Sequence, residues 1–354
     1  MAVTLDPITP EILREYAELS EVEYLGKPVA QFEHLSWKFL ENPQALSYGI
    51  HLREKGRLVG RIAYMPRTFA CGAETLRGGY LVDLLLHPRI RSMQNLKLLV
   101  DSLEQFHGID FLFVTPNHLS IPIYRHLLKM QEPLHLSAFA VPLRPGAVLR
   151  DKLPWCPASV CTFTDWSCLS IVNILNLPSL AGKLTFNDTI PGDRELANLI
   201  QNTFDSNLQC VGIRTEKFLR WRFAASPVNR YHFSAVYRND RLLGYYAVRE
   251  AKFGGLSTLF LVDCVIAHDA SWAEKHQILQ EIVRMAMCKN CDLVFGLFNF
   301  GVGKSSMLPL PVIPIPEYAL PQTVPLFLKR FGKTELSCLE QKKWFISIAD
   351  LDVF

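Results

Sequence analysis

Three groups of residues have types and spacings that could do chemistry. Asn117, Ser120 and Tyr124 sit three and four residues apart after the apolar run Phe111–Thr115. A phenol titrating near pH 10 can hand a proton to a leaving group of similar basicity, such as a thiolate. The same spacing also fits Asn117 as a helix cap, with Tyr124 as a half-buried amphipathic side chain. Arg89, Arg91 and Ser92 stand where the strand-like run Gly79–Leu86 gives way to a helix beginning near Gln94. Cations and a hydroxyl at a helix start can hold phosphate oxygens, although solvated arginines are common at such turns. Asp83 lies among leucines within that strand, where burial tends to raise a carboxyl pKa toward the range of a general base. Glu74 and His87 are weaker candidates. Asp83 is also read as a structural hydrogen-bonding residue, the favoured reading, because an equivalent aspartate recurs later in the chain.

That recurrence is part of a wider repeat. His34-Leu-Ser-Trp37-Lys-Phe39-Leu-Glu-Asn-Pro43 is echoed by Phe218-Leu-Arg-Trp221-Arg-Phe223-Ala-Ala-Ser-Pro227, an offset of 184 residues. Arg57-Leu-Val-Gly60 matches Arg241-Leu-Leu-Gly244 at the same offset, and the turns Lys55-Gly56 and Asn239-Asp240 share the register. Over Leu35–Gly60 there are seven identities, against about one or two expected by chance. Leu81-Val82-Asp83 returns as Leu261-Val262-Asp263, four residues out of step, as a short loop deletion would produce.

The elements that must position these residues follow one order in each half. In the first, the patterns predict a strand at 3–5, a helix at 10–18 opened by Thr9, and a helix carrying Trp37. Strands follow at 48–53, 57–64 and 79–86, then a helix at 94–106, a strand at 111–115, a helix at 121–130 and a closing strand at 134–141. The second half predicts a strand at 184–187, a helix at 195–204 and the Trp221 helix. Strands at 231–237, 242–249 and 258–267 follow, then a helix at 274–288 and a strand at 293–297. The proline-rich 309–325 cannot be one helix, and a short helix at 326–331 and a strand at 344–348 end the chain. Between the halves, a helix is expected at 168–175. The fold class is α+β, a mixed α/β chain: an N-terminal unit over 1–144, a connection over 145–182 and a C-terminal unit over 183–354.

Composition limits the partners. A chain of 354 residues suffices for two cores, and 49% hydrophobic residues suit large cores or an apolar ligand tunnel. A formal charge of +3, with cations scattered among acids, argues against nucleic acid. No run reaches the about 18 apolar residues of a membrane span, and the N-terminus lacks a secretory pattern. Nine cysteines without an export signal predict reduced thiols and a cytoplasmic protein. Cys288-Lys-Asn-Cys291 is half a zinc site, but no second pair completes it, Cys156, Cys161 and Cys168 being reachable only through an unusual topology; no metal is expected. Gly301-Val-Gly-Lys304-Ser-Ser306 lacks the first glycine of a phosphate loop and reads as a loop over an interdomain cleft.

The order of elements resembles the GNAT N-acyltransferase superfamily, and the repeat resembles its tandem members, such as N-myristoyltransferases, mycothiol synthases and Fem-type peptidyltransferases. Asn117-His-Leu-Ser120-Ile-Pro-Ile-Tyr124 is similar to the family pattern Asn-x-x-Ala-x-x-x-Tyr. The resemblance implies that Tyr124 protonates a leaving thiolate and that Asn117 and Ser120 meet a pantetheine arm lying along Leu84, Leu85 and Leu86. Pro88 and Arg91 match the family's Pro-x-x-Arg, which makes Arg91 to Leu96 the implied phosphate loop. Its two usual glycines are Gln94 and Leu96 here; Arg89, Arg91 and Ser92 would have to compensate. The second half carries neither signature, and His268-Asp-Ala-Ser-Trp-Ala-Glu274 follows its equivalent strand. The implied function is transfer of an acyl group from acyl-CoA or an acyl carrier protein (acyl-ACP) to an amine of a small molecule, amino sugar or peptide, with the second half shaping the acceptor or acyl pocket. Loss of the loop glycines favours the carrier-protein donor. A non-catalytic acyl-thioester-binding scaffold and a Fem-type transferase using aminoacyl-tRNA are the alternatives; near-neutral charge and the lack of a long heptad segment disfavour the latter.

Overall fold

The computed structural model describes residues 1–71, 74–106, 108–152, 155–165, 184–204, 210–300, 313–317, 320, 324–331 and 344–351. The expected helix at 168–175, the loop 301–306 and most of 309–325 fall outside them, as does Cys168.

The first half opens with β1 (Ala2–Pro7), α1 (Pro10–Tyr24) and α2 (Phe32–Phe39). Thr9 caps α1 by accepting the Ile12 amide, and Pro10 fits its first turn. Then come β2 (Tyr48–Glu54), β3 (Arg57–Cys71), β4 (Glu74–Leu86), α3 (Met93–Asp101), β5 (Phe111–Val114), β6 (Gln131–His135) and β7 (Ser137–Pro142). The second half carries β8 (Thr185–Asn187), a helix at Asp193–Thr203, β9 (Cys210–Gly212), a short helix at Glu216–Leu219 continued by a wider turn through Trp221, β10 (His232–Arg238), β11 (Arg241–Phe253) and β12 (Leu256–Ile266). A helix at Trp272–Cys288 leads to β13 (Leu293–Phe300), β14 (Ile313–Ile315), β15 (Pro325–Arg330) and β16 (Trp344–Ser347). The result is a mixed α/β fold with a large, mostly antiparallel sheet; β4–β5, β12–β13 and β9–β16 are its parallel pairs.

The repeated residues meet in space. Trp37 Nε1 donates to the Trp221 carbonyl at 2.8 Å, and Trp221 Nε1 donates to the Trp37 carbonyl at 2.7 Å. Their rings stack with centroids 4.9 Å apart. Equivalent positions making the same contact in both directions describe a local two-fold relation. The hairpins match as well: Lys55 and Gly56, and Asn239 and Asp240, all have positive φ, as a tight turn suited to twisted strands demands. A bulge follows Leu52 in β2 and Val236 in β10, again 184 residues apart.

Two strands change sides. Leu134–Val141, expected as one strand closing the first half, is split: β6 stays there, while β7 pairs with β13 and β14 of the second. In return β15 leaves the second half to lie between β5 and β6. Leu326–Phe331, expected to be helical, is therefore the strand β15. Leu326, Phe327 and Leu328 are buried without alternation, as a central strand with both faces covered requires. The exchange makes one core across both halves, joining Trp37, Phe111 and Phe113 to Phe218, Phe298 and Trp344.

The expectation that all cysteines are reduced is corrected at one place. Cys71 of β3 and Cys210 of β9 face each other across paired strands and form a disulfide. Cys156, Cys161, Cys264, Cys288 and Cys291 are free thiols. Among the described residues no cluster of three or more His, Cys, Asp or Glu is placed to hold a metal. No described helix is long and apolar enough to cross a membrane.

Candidate functional site

The candidate site begins where β4 and β5 part. They pair in parallel at Gly78–Phe111, Gly79–Leu112 and Tyr80–Phe113, and pairing stops there. A side chain on Gly78 or Gly79 would press into Phe111 or Leu112, so the glycines permit this close approach just before the strands diverge. Beyond it β4 bulges against β3: Arg61 faces Leu85, but Ala63 faces Val82. Asp83 takes up the extra residue with a φ of 55°, a left-handed conformation that costs an aspartate about 1–3 kcal/mol. β5 ends at Val114, and the chain turns through Asn117 to Tyr124. A groove of about 330 Å³ lies between the strands.

That groove brings together Asp83, Leu84, Leu85, Asn117, Ser120 and Tyr124. Tyr124 is nearly fully buried, and its ring faces Phe327 of the exchanged strand β15. Its segment is a single wide turn at Ile123–Leu127 rather than the expected ten-residue helix. Burial, with Tyr80 close by, raises the phenol pKa above its ordinary value and keeps the proton on the oxygen. Asn117 Oδ1 accepts from both the amide and the hydroxyl of Ser120, at 3.0 Å each, which fixes the turn leading into Tyr124. Tyr80 and Thr115 close the groove floor with a hydroxyl pair at 2.6 Å.

The other sequence candidates lie apart. Leu86 is buried in the smaller core cluster formed by α3 and the outer face of β2–β5. Arg91 donates to the Leu86 carbonyl at 3.1 Å and pairs with Glu23 of α1. Ser92 caps α3 by accepting the Asn95 amide at 3.2 Å. Arg89 is exposed and borders a separate hollow with Glu15, Glu18 and His87. None of these four lines the groove.

Asp83 departs from its expected behaviour. Burial alone would raise its pKa, but Lys38 and then Arg61 outweigh it and hold the carboxyl below its ordinary value. Lys38 Nζ stands 2.8 Å from Oδ1, and Arg61 Nη2 stands 3.8 Å from Oδ2. The expected rise toward a general base is thus reversed, and the carboxylate holds a buried ion pair across the bulge. Arg61 and Lys38 are the residues the sequence reading passed over. An arginine at an inward position of the apolar strand Leu58–Tyr64 was the available signal, because buried charges need partners.

The second half shows the corresponding cleft filled by its own chain. After four paired positions with β12, β13 continues as a strand to Phe300 and pairs with β16. The segment Ser347–Leu351 then lies against β12. Asp263, the counterpart of Asp83, is fully buried and receives Arg214, Tyr245 and Ser347.

No family model matches the sequence, and no curated protein matches it. Solved structures do, at probability 1.00. A probable N-acyltransferase of unknown function from Enterococcus faecalis aligns over 93% of this chain and 72% of its own, with a TM-score of 0.60 and 12% identity. A GCN5-related N-acetyltransferase from Anabaena variabilis aligns over 93% and 73%, with a TM-score of 0.60 and 12% identity. Saccharomyces cerevisiae N-myristoyltransferase with bound myristoyl-CoA aligns over 92% and 82%, with a TM-score of 0.52 and 12% identity. Identity this low speaks for architecture alone, and the architecture of this chain is the GCN5-related N-acetyltransferase (GNAT) fold.

Proposed function

We propose that the protein is an N-acyltransferase that takes an acyl group from a thioester and transfers it to an amine, using the groove between β4 and β5. One observation carries the reading: the edge of β4 beyond Tyr80, which no described strand pairs with, and the buried phenol of Tyr124 border the same groove. A free strand edge offers backbone donors and acceptors to the amides of a pantetheine arm, as an added strand would. Asn117 and Ser120 line the same wall.

The reaction forms a C–N bond at the thioester carbonyl and breaks the C–S bond. The departing sulfur takes its proton from the Tyr124 hydroxyl, and the proton shed by the amine returns to the phenolate through solvent. With its pKa raised, the phenol stays protonated at neutral pH and is ready to donate. Asp83 has no part in this scheme as a base, because Lys38 already binds it. Its role is to hold the bulge that turns the β4 edge toward the groove.

The phosphate end of the donor is less well provided for. Arg91 is engaged with Glu23 and Leu86, and the Ser92 hydroxyl caps its own helix. Both facts favour a carrier-protein thioester, which brings no adenosine diphosphate, over acyl-CoA. They also support a second reading, a non-catalytic acyl-thioester-binding protein with the same fold. Native mass spectrometry of the full chain with a panel of acyl-CoAs and acyl carrier proteins, alongside thiol release with mixed amines, separates the readings. A retained thioester with thiol release is expected. Retention without release leaves only the binding protein, and no retention of any thioester removes both.

A further inference from the structure

A row of side chains on one face of β3 crosses the seam between the halves. Residues 64, 66, 68 and 70 share that face, because side chains alternate along a strand. Across the ladders Thr68 faces Arg77 and Ala70 faces Thr75, both on β4, while Val211 of β9 faces Ala70 from the other side. Two hollows lie over this row. One of about 550 Å³ is bordered by Tyr48, Tyr64, Thr75 and Arg77, and one of about 600 Å³ by Ala70, Val211 and Ile213. They adjoin at the Ala70–Thr75 pair. Ala197, Ile200 and Phe204, spaced three and four apart, form the wall of the second hollow. Leu196 and Leu199 of the same helix enter the core instead. None of the residues around the two hollows borders the groove between β4 and β5.

The two hollows differ in chemistry. The second is apolar, and the polar groups beside it are already engaged: Arg214 with Asp263 and Asp350, and the Thr215 hydroxyl with the Phe218 amide at 3.1 Å. The first offers donors. Among the described residues the exposed Arg77 guanidinium makes no hydrogen bond or ion pair, and the hydroxyls of Tyr48 and Tyr64 have no partner. Tyr64 is 3% exposed, so its hydroxyl is a nearly buried donor beside the hollow. Burial, and then Tyr48, push the Tyr64 pKa up to about 12, so the phenol keeps its proton. Arg67 also borders this hollow but is taken up by Asp350 and the Ile213 carbonyl. No acid borders the first hollow among the described residues, whereas Asp193 borders the second.

We propose that the paired hollows bind one free medium-chain fatty acid, its carboxylate toward Arg77, Tyr48 and Tyr64 and its alkyl chain over Ala70 into the apolar hollow. One guanidinium with no acid beside it matches a monoanion, whereas a phosphate would bring close to two negative charges. The floor is the face of a sheet rather than an edge, so it has no backbone hydrogen bonds to offer a peptide. Neighbouring strands lie about 4.8 Å apart, which puts β9 about 10 Å from β4. An extended chain advances about 1.2 Å per bond, so about eight bonds cross that distance, and the second hollow takes the remainder of a chain of about eight to twelve carbons. Apolar cavities of about 150 Å³ already hold benzene, so its volume is sufficient. This site is separate from the donor groove and does not depend on the acyl-transfer reading.

The test is isothermal titration of the full chain with butyrate, hexanoate, octanoate and decanoate, below micelle-forming concentrations, and with decan-1-ol as the uncharged tail. Binding of one decanoate per chain is expected, tightening by about two- to fourfold per methylene from hexanoate onward. Decanoate should bind about 10- to 100-fold more tightly than decan-1-ol, and Arg77→Gln should erase that preference. Ala197→Trp fills the apolar wall from an exposed helix position and should weaken decanoate by at least about 10-fold. Affinity independent of chain length, or equal for acid and alcohol, in the unaltered protein overturns the proposal without recourse to either variant. So does decanoate binding that survives both variants and is displaced by acyl-CoA, which would put the chain in the donor groove. Binding to phosphatidylglycerol vesicles with no binding of the monomer would assign this face to a membrane and likewise overturn it.

Discussion

Replacing Asp350 by asparagine tests whether the filled second cleft is held by charge. The carboxylate accepts three guanidinium bonds, two from Arg67 and one from Arg214, and the amide of Ser347 at 3.1 Å. Asparagine keeps one accepting oxygen but turns an amide group, itself a donor, toward the guanidiniums. Losing two charge-assisted bonds at roughly 1.5–3 kcal/mol each gives about 3–6 kcal/mol, which overlaps the roughly 3–5 kcal/mol of breaking a buried ion pair from one side. Set against a typical stability of about 5–15 kcal/mol, the change is large. Urea unfolding at pH 7 should show the midpoint falling with little change in slope. The pH dependence supplies a second check. Burial would raise the Asp350 pKa, but Arg214 and Arg67 outweigh it and hold the carboxyl below its ordinary value. Its stabilisation is therefore complete above the unfolded value, about pH 4, and is lost as pH falls through the lower folded value. The asparagine variant should lack that share of the acid transition. A loss under about 1 kcal/mol at pH 7, or a double-mutant cycle with Arg67→Met showing no coupling, would refute the account.

Tyr124→Phe should lower thiol release by about 10²- to 10⁴-fold, as expected for a lost general acid. Melting should move little, since the hydroxyl has no hydrogen-bond partner among the described residues; unchanged turnover would remove the phenol from the mechanism. Lys38→Met removes the nearer of the two cations beside Asp83, leaving Arg61 at 3.8 Å, and should cost about 3 kcal/mol at pH 7, the lower end of the range for breaking a buried pair. Because Asp83 is held below its ordinary pKa, that cost should shrink as pH falls below about 4, and a pH-independent loss in urea melts would contradict it. Cys71→Ser removes a link that closes a 139-residue separation and should cost about 2–5 kcal/mol. Peptide mapping without reductant should find Cys71 joined to Cys210, and two alkylated thiols there would overturn it.

Sequence reading reached those parts of the molecule that local chemistry encodes. Lys55-Gly56 and Asn239-Asp240 announce tight hairpins because few residues tolerate positive φ in succession. Trp37 and Trp221 announced the repeat, and their mutual hydrogen bonds make each tryptophan the other's partner. Asn117 and Tyr124 stand out through their likeness to the family pattern Asn-x-x-Ala-x-x-x-Tyr, since spacing alone fits a helix cap as well; both line the groove. What escaped was pairing at long range. Nothing in the apolar runs at 137–142 and 325–330 says which half supplies the neighbouring strands, and Leu326–Phe331 has no period to separate strand from helix. Asp83 was misjudged on pKa for a related reason: its leucine neighbours are adjacent in sequence, whereas Lys38 arrives from 45 residues away.

The same long-range differences explain why one half keeps an open groove. In the first half β5 stops at Val114, and the turn through Asn117 places Tyr124 against the gap. In the second half β13 runs on to Phe300, which removes the place for such a turn and gives β16 an edge to pair with. The bulge shifts too: β4 absorbs its extra residue at Asp83 with positive φ, whereas the β12 irregularity falls between the partners of Ala247 and Val248, and Asp263 stays extended. Strand extension, bulge position and filling segment all close one cleft, and among the described residues none of the three closes the other. One thioester per chain should therefore be retained in native mass spectrometry. Asp350→Asn should leave that stoichiometry at one under native conditions, because β13 and β16 still block the second gap. A second bound thioester in either protein would mean that the filling segment is a displaceable lid, and the assignment of the donor to the first half would fall with it.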